Sequence, residues 1–132
     1  ARVYELEWYA DRETRDRELA DWLQLRGVDL VVLAGYMHLL TPAFLERFPE
    51  RIVNVHPSLL PAFPGARAIE DALAAGVAVT GVTVHLVDEG LDTGPVLEQE
   101  EVEVEPRETL EERIHAVEHR LLPKVVRELC ER

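Results

Sequence analysis

A lone cysteine, Cys130, rules out a disulfide framework and a thiolate metal site built from this chain. One free thiol fits a reducing compartment, and the expected location is cytoplasmic. No apolar run reaches the ~18 residues of a membrane-spanning helix, so no membrane partner is expected. Basic residues are scarce, with 14 Lys and Arg against 26 Asp and Glu, a formal net charge of −12. A field of that sign repels phosphate backbones, which excludes nucleic acid as a partner. Internal repeats and low-complexity stretches are also lacking. What remains is 132 residues, 47% of them hydrophobic, enough for one domain with its own core.

Val3 to Leu6 alternates as a short strand. Asp11 can cap a helix from about Arg12 to Arg26, with Gly27 as its stop. Helical spacing of Leu19, Trp22, Leu23 and Arg26 puts Trp22 in the core. Arg12 and Arg15 lie in the first turns, against the helix dipole. They are either plain exposed side chains or neighbours of a bound anion. Asp29 to Gly35 is apolar on both faces, so it reads as a strand covered on both sides, as in a parallel sheet. Thr41-Pro42 reads as an N-cap and first helical residue of a short helix to about Phe48. Strand, helix, strand in that order predicts a right-handed crossover between parallel neighbours.

Ala66 to Ala75 is an alanine-rich helix stopped by Gly76. Val79 to Val87 alternates, with Thr83, His85 and Val87 on one face and Val82, Val84 and Leu86 on the other. Pro95 to Val104 is a further strand. A last helix, about Glu108 to Glu131, carries Leu110, Ile114, Val117, Leu121, Val125 and Leu129 as a stripe, with Pro123 as its kink. Acidic residues crowd Glu98 to Glu112 and read as a solvated face. Glu118 sits at the border of the stripe, with His115 three residues before it on the same flank.

The chain is organised around Asn54-Val55-His56-Pro57-Ser58-Leu59-Leu60-Pro61. Ile52-Val53 begins a buried strand, and Pro57 must end it. Alternation puts Asn54 and His56 on one face at the strand's carboxyl end, where open α/β sheets bind ligands. The alternative is a polar strand end whose histidine only caps a loop. An amide donor and an imidazolium can polarise a carbonyl and hold an oxyanion. A nearby carboxylate raises the imidazole pKa and orients the ring. The loop Asp88-Glu89-Gly90-Leu91-Asp92-Thr93-Gly94-Pro95 offers such carboxylates, and its glycines either admit a ligand closely or simply make turns. No serine or cysteine stands out as a nucleophile with a base, and Ser58 reads as structural. Histidine and acid spacings match no metal motif. Direct attack by a substrate amine is therefore favoured over metal or covalent catalysis.

Taken together, Leu33-Ala34-Gly35-Tyr36-Met37, the Asn54 to Pro61 segment, Gly81-Val82-Thr83-Val84-His85 and Asp88 to Pro95 resemble the phosphoribosylglycinamide formyltransferases. The matches run in order from about Arg12 to Pro123. The resemblance implies an α/β, Rossmann-like formyltransferase fold in one domain, a mostly parallel central sheet flanked by helices. It implies transfer of a formyl group from 10-formyltetrahydrofolate, as cosubstrate, to the amine of 5-phosphoribosylglycinamide in purine synthesis, without a metal. In that reading Asn54 and His56 bind the formyl oxygen, and Asp92 supports His56. Met37, His38, Leu39 and Leu40 line the folate pocket, the backbone of Asp88, Glu89, Gly90, Leu91 and Asp92 surrounds the pterin, and Arg12 meets the folate glutamate. Glu118 and His115 fall at the ribonucleotide site.

The chain departs from the family in three places. His38 stands where some members have arginine, and Ala66-Arg67-Ala68-Ile69 stands where relatives carry histidines. The family also opens with a strand and a Gly-rich phosphate loop. No stretch here matches it, so that N-terminal βαβ portion is expected to precede Ala1. Alternative readings are a formyltetrahydrofolate hydrolase, for which His-Pro-Ser in place of His-His-Ser is the unfavourable feature, and a non-catalytic folate-binding fragment. Methionyl-tRNA formyltransferase shares the later motifs but adds a basic domain. The expected partners are small molecules, and a homodimer is compatible with the chain.

Overall fold

Apolar and alternating runs build a four-stranded sheet in a computed structural model that describes residues 12–34, 41–88 and 93–131, with the backbone alone for Arg12, Glu13 and Ala34. The strands are β1 (Val31–Ala34), β2 (Ile52–His56), β3 (Val79–Leu86) and β4 (Val96–Glu103), in the spatial order β1-β2-β3-β4. Helices α1 (Arg12–Leu25), α2 (Pro42–Leu45), α3 (Ala68–Ala75) and α4 (Leu110–Cys130) complete the α/β arrangement. The strand expected at Val3 to Leu6 and the cap at Asp11 lie outside the described residues.

Parallel pairing holds where strand, helix and strand predict it: Val31 to Ala34 run alongside Ile52 to Val55. The next two pairings are antiparallel. The connection from β2 to β3 contains α3 yet starts and ends at the His56 end of the sheet, so β3 returns antiparallel. Only residues 87–95 separate β3 from β4, too few for a crossover to a parallel neighbour, which also demands antiparallel pairing. The parallel part of the expected sheet is thus confined, among the described strands, to β1 and β2.

Alternation along each strand assigns two different jobs to the two faces. Val53, Val55, Val82, Val84 and Val102 pack under the α4 stripe of Leu110, Ile114, Leu121, Val125 and Leu129. Each such side chain, fully buried, contributes about 1.5–3 kcal/mol. On the other face Ile52 joins Ala20 of α1 with Phe44 and Phe48, whose rings lie 5.4 Å apart. Asn54 and His56 share the face of Ile52. The β4–α4 corner is tied by Arg113, which donates to the carbonyls of Glu103, Val104 and Pro106 at 2.6, 3.0 and 2.7 Å. Gly76 closes α3 in the left-handed region at φ 71°, where a side chain would be strained.

Some expectations are corrected. Trp22 is only half-buried, with the Arg26 guanidinium 5.0 Å above its ring. β1 stands at the end of the described sheet, and Val32 is 39% exposed, so its outer face is not covered by another described layer. Arg15 is not exposed: it is buried, and the anion it faces is the fully buried Asp16 carboxylate. Thr41 makes no side-chain cap on α2, because its hydroxyl and its N–H both go to Asp16 Oδ2, at 2.9 and 2.7 Å. The helix that follows is shorter than expected, ending at Leu45.

Candidate functional site

Pro57 stops β2 directly after His56, so that ring emerges at a strand end and not within a ladder. His56 is 5% exposed. Its Nε2 lies 2.9 Å from the Phe63 carbonyl oxygen. A carbonyl can only accept, so Nε2 carries a proton. Asn54, half-buried, sits on the same face two residues earlier. The amide and the imidazole therefore share one surface, as alternation requires.

The loop after His56 is held by buried polar groups. Ser58, fully buried, directs its one hydroxyl proton to the Ala62 carbonyl at 2.6 Å, with the Phe63 carbonyl as a second, longer acceptor at 3.2 Å. Thr83 Oγ1 donates to the Ser58 carbonyl at 2.6 Å and accepts from Leu60 N at 3.1 Å. Gln99 Nε2 on β4 reaches Leu60 O at 2.9 Å and Thr83 Oγ1 at 3.0 Å. Gly81 lets this loop and β4 approach β3 closely: a Cβ there would lie 2.4 Å from Leu59 Cδ2 and 2.3 Å from the Glu100 carbonyl. Ser58 is structural, as read from the sequence, and three strands converge on one proline-rich turn.

Sequence reasoning gave no role to His85. It stands directly opposite Asn54 in the β2–β3 register and is 2% exposed. Its Nδ1 is 2.9 Å from the Leu86 carbonyl, so Nδ1 carries the proton and Nε2 is presented as an acceptor when the ring is neutral. The signal was available, since Thr83 and His85 alternate with valines that had to face the core.

Glu118 on α4 is half-buried. Burial pushes its carboxyl above the ordinary value of 4.5, against the opposing pull of His115, His119 and His56. The strand-end histidine and the α4 glutamate thus share one electrostatic neighbourhood. His115 itself is exposed. Arg67 is exposed and pairs with Glu70 at 2.9 Å. No group of three or more His, Cys, Asp or Glu suited to a metal occurs among the described residues.

Asp88 accepts a 2.7 Å hydrogen bond from Thr93 Oγ1, and Leu86 N donates to Pro95 O at 2.9 Å. These contacts pinch the base of the loop. Because β3 is antiparallel, the loop leaves opposite Val53, about 10 Å along β2 from His56. Glu89, Gly90, Leu91, Asp92, Met37, His38, Leu39 and Leu40, and the side chain of Arg12, lie outside what is described.

A family model described as formyl transferase matches residues 1–126. A phosphoribosylglycinamide formyltransferase of Bacillus subtilis is 43% identical over 130 residues, which is 96% of this chain and 67% of that protein. One from Mycobacterium tuberculosis is 58% identical over 105 residues, 77% of this chain and 49% of that protein. The chain therefore spans between half and two thirds of these relatives' length. A crystal structure of glycinamide ribonucleotide transformylase 1 from Geobacillus kaustophilus aligns with TM-score 0.93 at 52% identity, covering 98% of this chain and 70% of that one. The Bacillus halodurans phosphoribosylglycinamide formyltransferase structure aligns with TM-score 0.89, also at 52% identity, over 93% of this chain and 65% of that one. With the fold, the strand-end histidine and its proline-rich loop all in place, the chain belongs to the formyl transferase family and, within it, to the phosphoribosylglycinamide formyltransferases.

Proposed function

We propose that the protein carrying this chain transfers a formyl group from 10-formyltetrahydrofolate to the amine of 5-phosphoribosylglycinamide. The observation that carries this reading is a buried histidine at the end of β2, oriented by a backbone carbonyl and sharing its face with an amide side chain. The substrate amine attacks the formyl carbon, and the carbonyl electron pair moves to the formyl oxygen. The Asn54 amide N–H and the His56 imidazolium donate to that oxyanion in a water-poor setting. Collapse re-forms the carbonyl and breaks the bond to the folate N10, which leaves as an amine once it gains the proton lost by the attacking nitrogen.

Asp92 keeps His56 protonated through its negative charge. Met37, His38, Leu39 and Leu40 line the folate slot, the backbone of Asp88 to Asp92 borders the pterin, and Arg12 meets the glutamate tail. Glu118, with His115 beside it, accepts hydrogen bonds from ribose hydroxyls. Its position within reach of the His56 charge supports this placement. These parts act within one formyltransferase domain in the cytoplasm, with no metal.

Product analysis tests the proposal. With the folate donor alone, the protein should release no formate. Adding 5-phosphoribosylglycinamide should give stoichiometric formylated amine. Formate release independent of the amine would establish a hydrolase instead, and donor binding without either product a binding fragment.

A further inference from the structure

Ser58 is a buried hydroxyl that the proposed chemistry does not use. Its side chain is fully buried, and it lies two residues from His56. Both residues address the same atom: the Phe63 carbonyl oxygen accepts from His56 Nε2 at 2.9 Å and from Ser58 Oγ at 3.2 Å. The stronger Ser58 contact, 2.6 Å to the Ala62 carbonyl, fixes the preceding peptide. Phe63 itself sits at φ 50°, a conformation that a non-glycine residue holds only under local constraint. The constraint continues outward through Thr83, which accepts from Leu60 N and donates to Ser58 O, to Gln99 on β4.

We infer that Ser58 is a positioning residue for His56: by holding the 62–63 carbonyls it commits Nε2–H to the backbone and leaves Nδ1 as the nitrogen turned toward the formyl oxygen. The inference rests on the formyl-transfer reading for its kinetic arm only. A ring free to rotate would turn the wrong nitrogen to the formyl oxygen for part of the time. Holding Nε2–H on the Phe63 carbonyl keeps the imidazolium Nδ1–H aimed at that oxygen, and the same bond fixes the Nε2–H tautomer whenever the ring is neutral. Gln99 is the outer brace. Its side chain donates to both Leu60 O and Thr83 Oγ1, although the residue as a whole is exposed.

The test is ¹⁵N NMR of histidine-labelled protein, with His56 resonances assigned from His56→Gln, alongside steady-state kinetics. Wild type should show the neutral His56 ring as the Nε2–H tautomer. Ser58→Ala should move it toward a tautomer mixture. The same variant should lower kcat about tenfold or more while KM for either substrate stays within about twofold, because only orientation is lost. Gln99→Met, altered at an exposed position, should shift both readouts the same way but less, and guards against a Ser58 variant that fails to fold. Ser58→Cys, which keeps a weak donor, should lie between wild type and Ser58→Ala. Folded variants that retain the wild-type tautomer and kcat would overturn the inference, as would a wild-type ring in the Nδ1–H form. Tautomer shifts in a protein whose wild type transfers no formyl group would support this inference and defeat the functional reading alone.

Discussion

Replacing Asp16 by alanine measures what binds α1 to the start of α2. The carboxylate is fully buried and accepts four hydrogen bonds, from Arg15 Nε and Nη2 and from Thr41 N and Oγ1. Alanine would leave a guanidinium that is 3% exposed without its counter-ion, and an N–H and a hydroxyl without their acceptor. Breaking a buried pair from one side costs about 3–5 kcal/mol. That is a large share of the roughly 5–15 kcal/mol that holds a domain together. Thr41→Val deletes a single hydroxyl donor to the charged acceptor and should cost about 1.5–3 kcal/mol. Arg15→Met with Asp16→Leu removes both charges and leaves only the Thr41 groups unsatisfied, so the double variant should recover part of the single variant's loss. Urea midpoints at unchanged m-value read these differences. An Asp16→Ala protein within about 1 kcal/mol of wild type, or a double variant no better than the single one, would refute the claim that this pair is a buried, mutually dependent node.

Thr80 Oγ1 is buried without a hydrogen-bond partner among the described residues, so Thr80→Val should raise stability by about 1 kcal/mol, seen as a higher urea midpoint. Gly94→Ala would place Cβ 1.7 Å from the Leu86 carbonyl, and Gly81→Ala 2.3 Å from the Glu100 carbonyl, so both should destabilise clearly in thermal melts. Glu118 has a folded-state pKa raised above 4.5, mainly by burial. The folded chain therefore binds that proton more tightly than the unfolded one, and stability falls as pH rises through the raised value. Glu118→Gln should remove that part of the fall, so its advantage over wild type in urea titrations is larger at pH 7 than at pH 4.

Much of the fold was legible because its signals are local. The αL glycine after α3, the valines that face α4 and the proline that ends β2 each act within a few residues. Pairing direction was harder, because α3 between β2 and β3 suggests a crossover that the chain does not make. Arg15 was misread for a related reason: its partner is the adjacent Asp16, whose other carboxylate oxygen is held by Thr41, far along the chain. At the site, alternation alone put Asn54 and His56 together, and Pro57 marked where the strand stops. The brace that holds this loop joins Ser58 of the loop itself to Thr83 and Gln99 on two different strands, and no periodicity within one strand reports such a contact. His85 was visible as an alternation partner, but its placement opposite Asn54 depends on a register that only pairing determines.

The account stands on His56 as donor to the formyl oxygen, and the single-turnover rate of formyl transfer to 5-phosphoribosylglycinamide in His56→Ala tests that most directly. One oriented donor to an oxyanion is worth about 2.7–4 kcal/mol, so the variant should transfer at least ~10²-fold more slowly while remaining folded and donor-bound. Transfer at the wild-type rate by folded His56→Ala protein would contradict it.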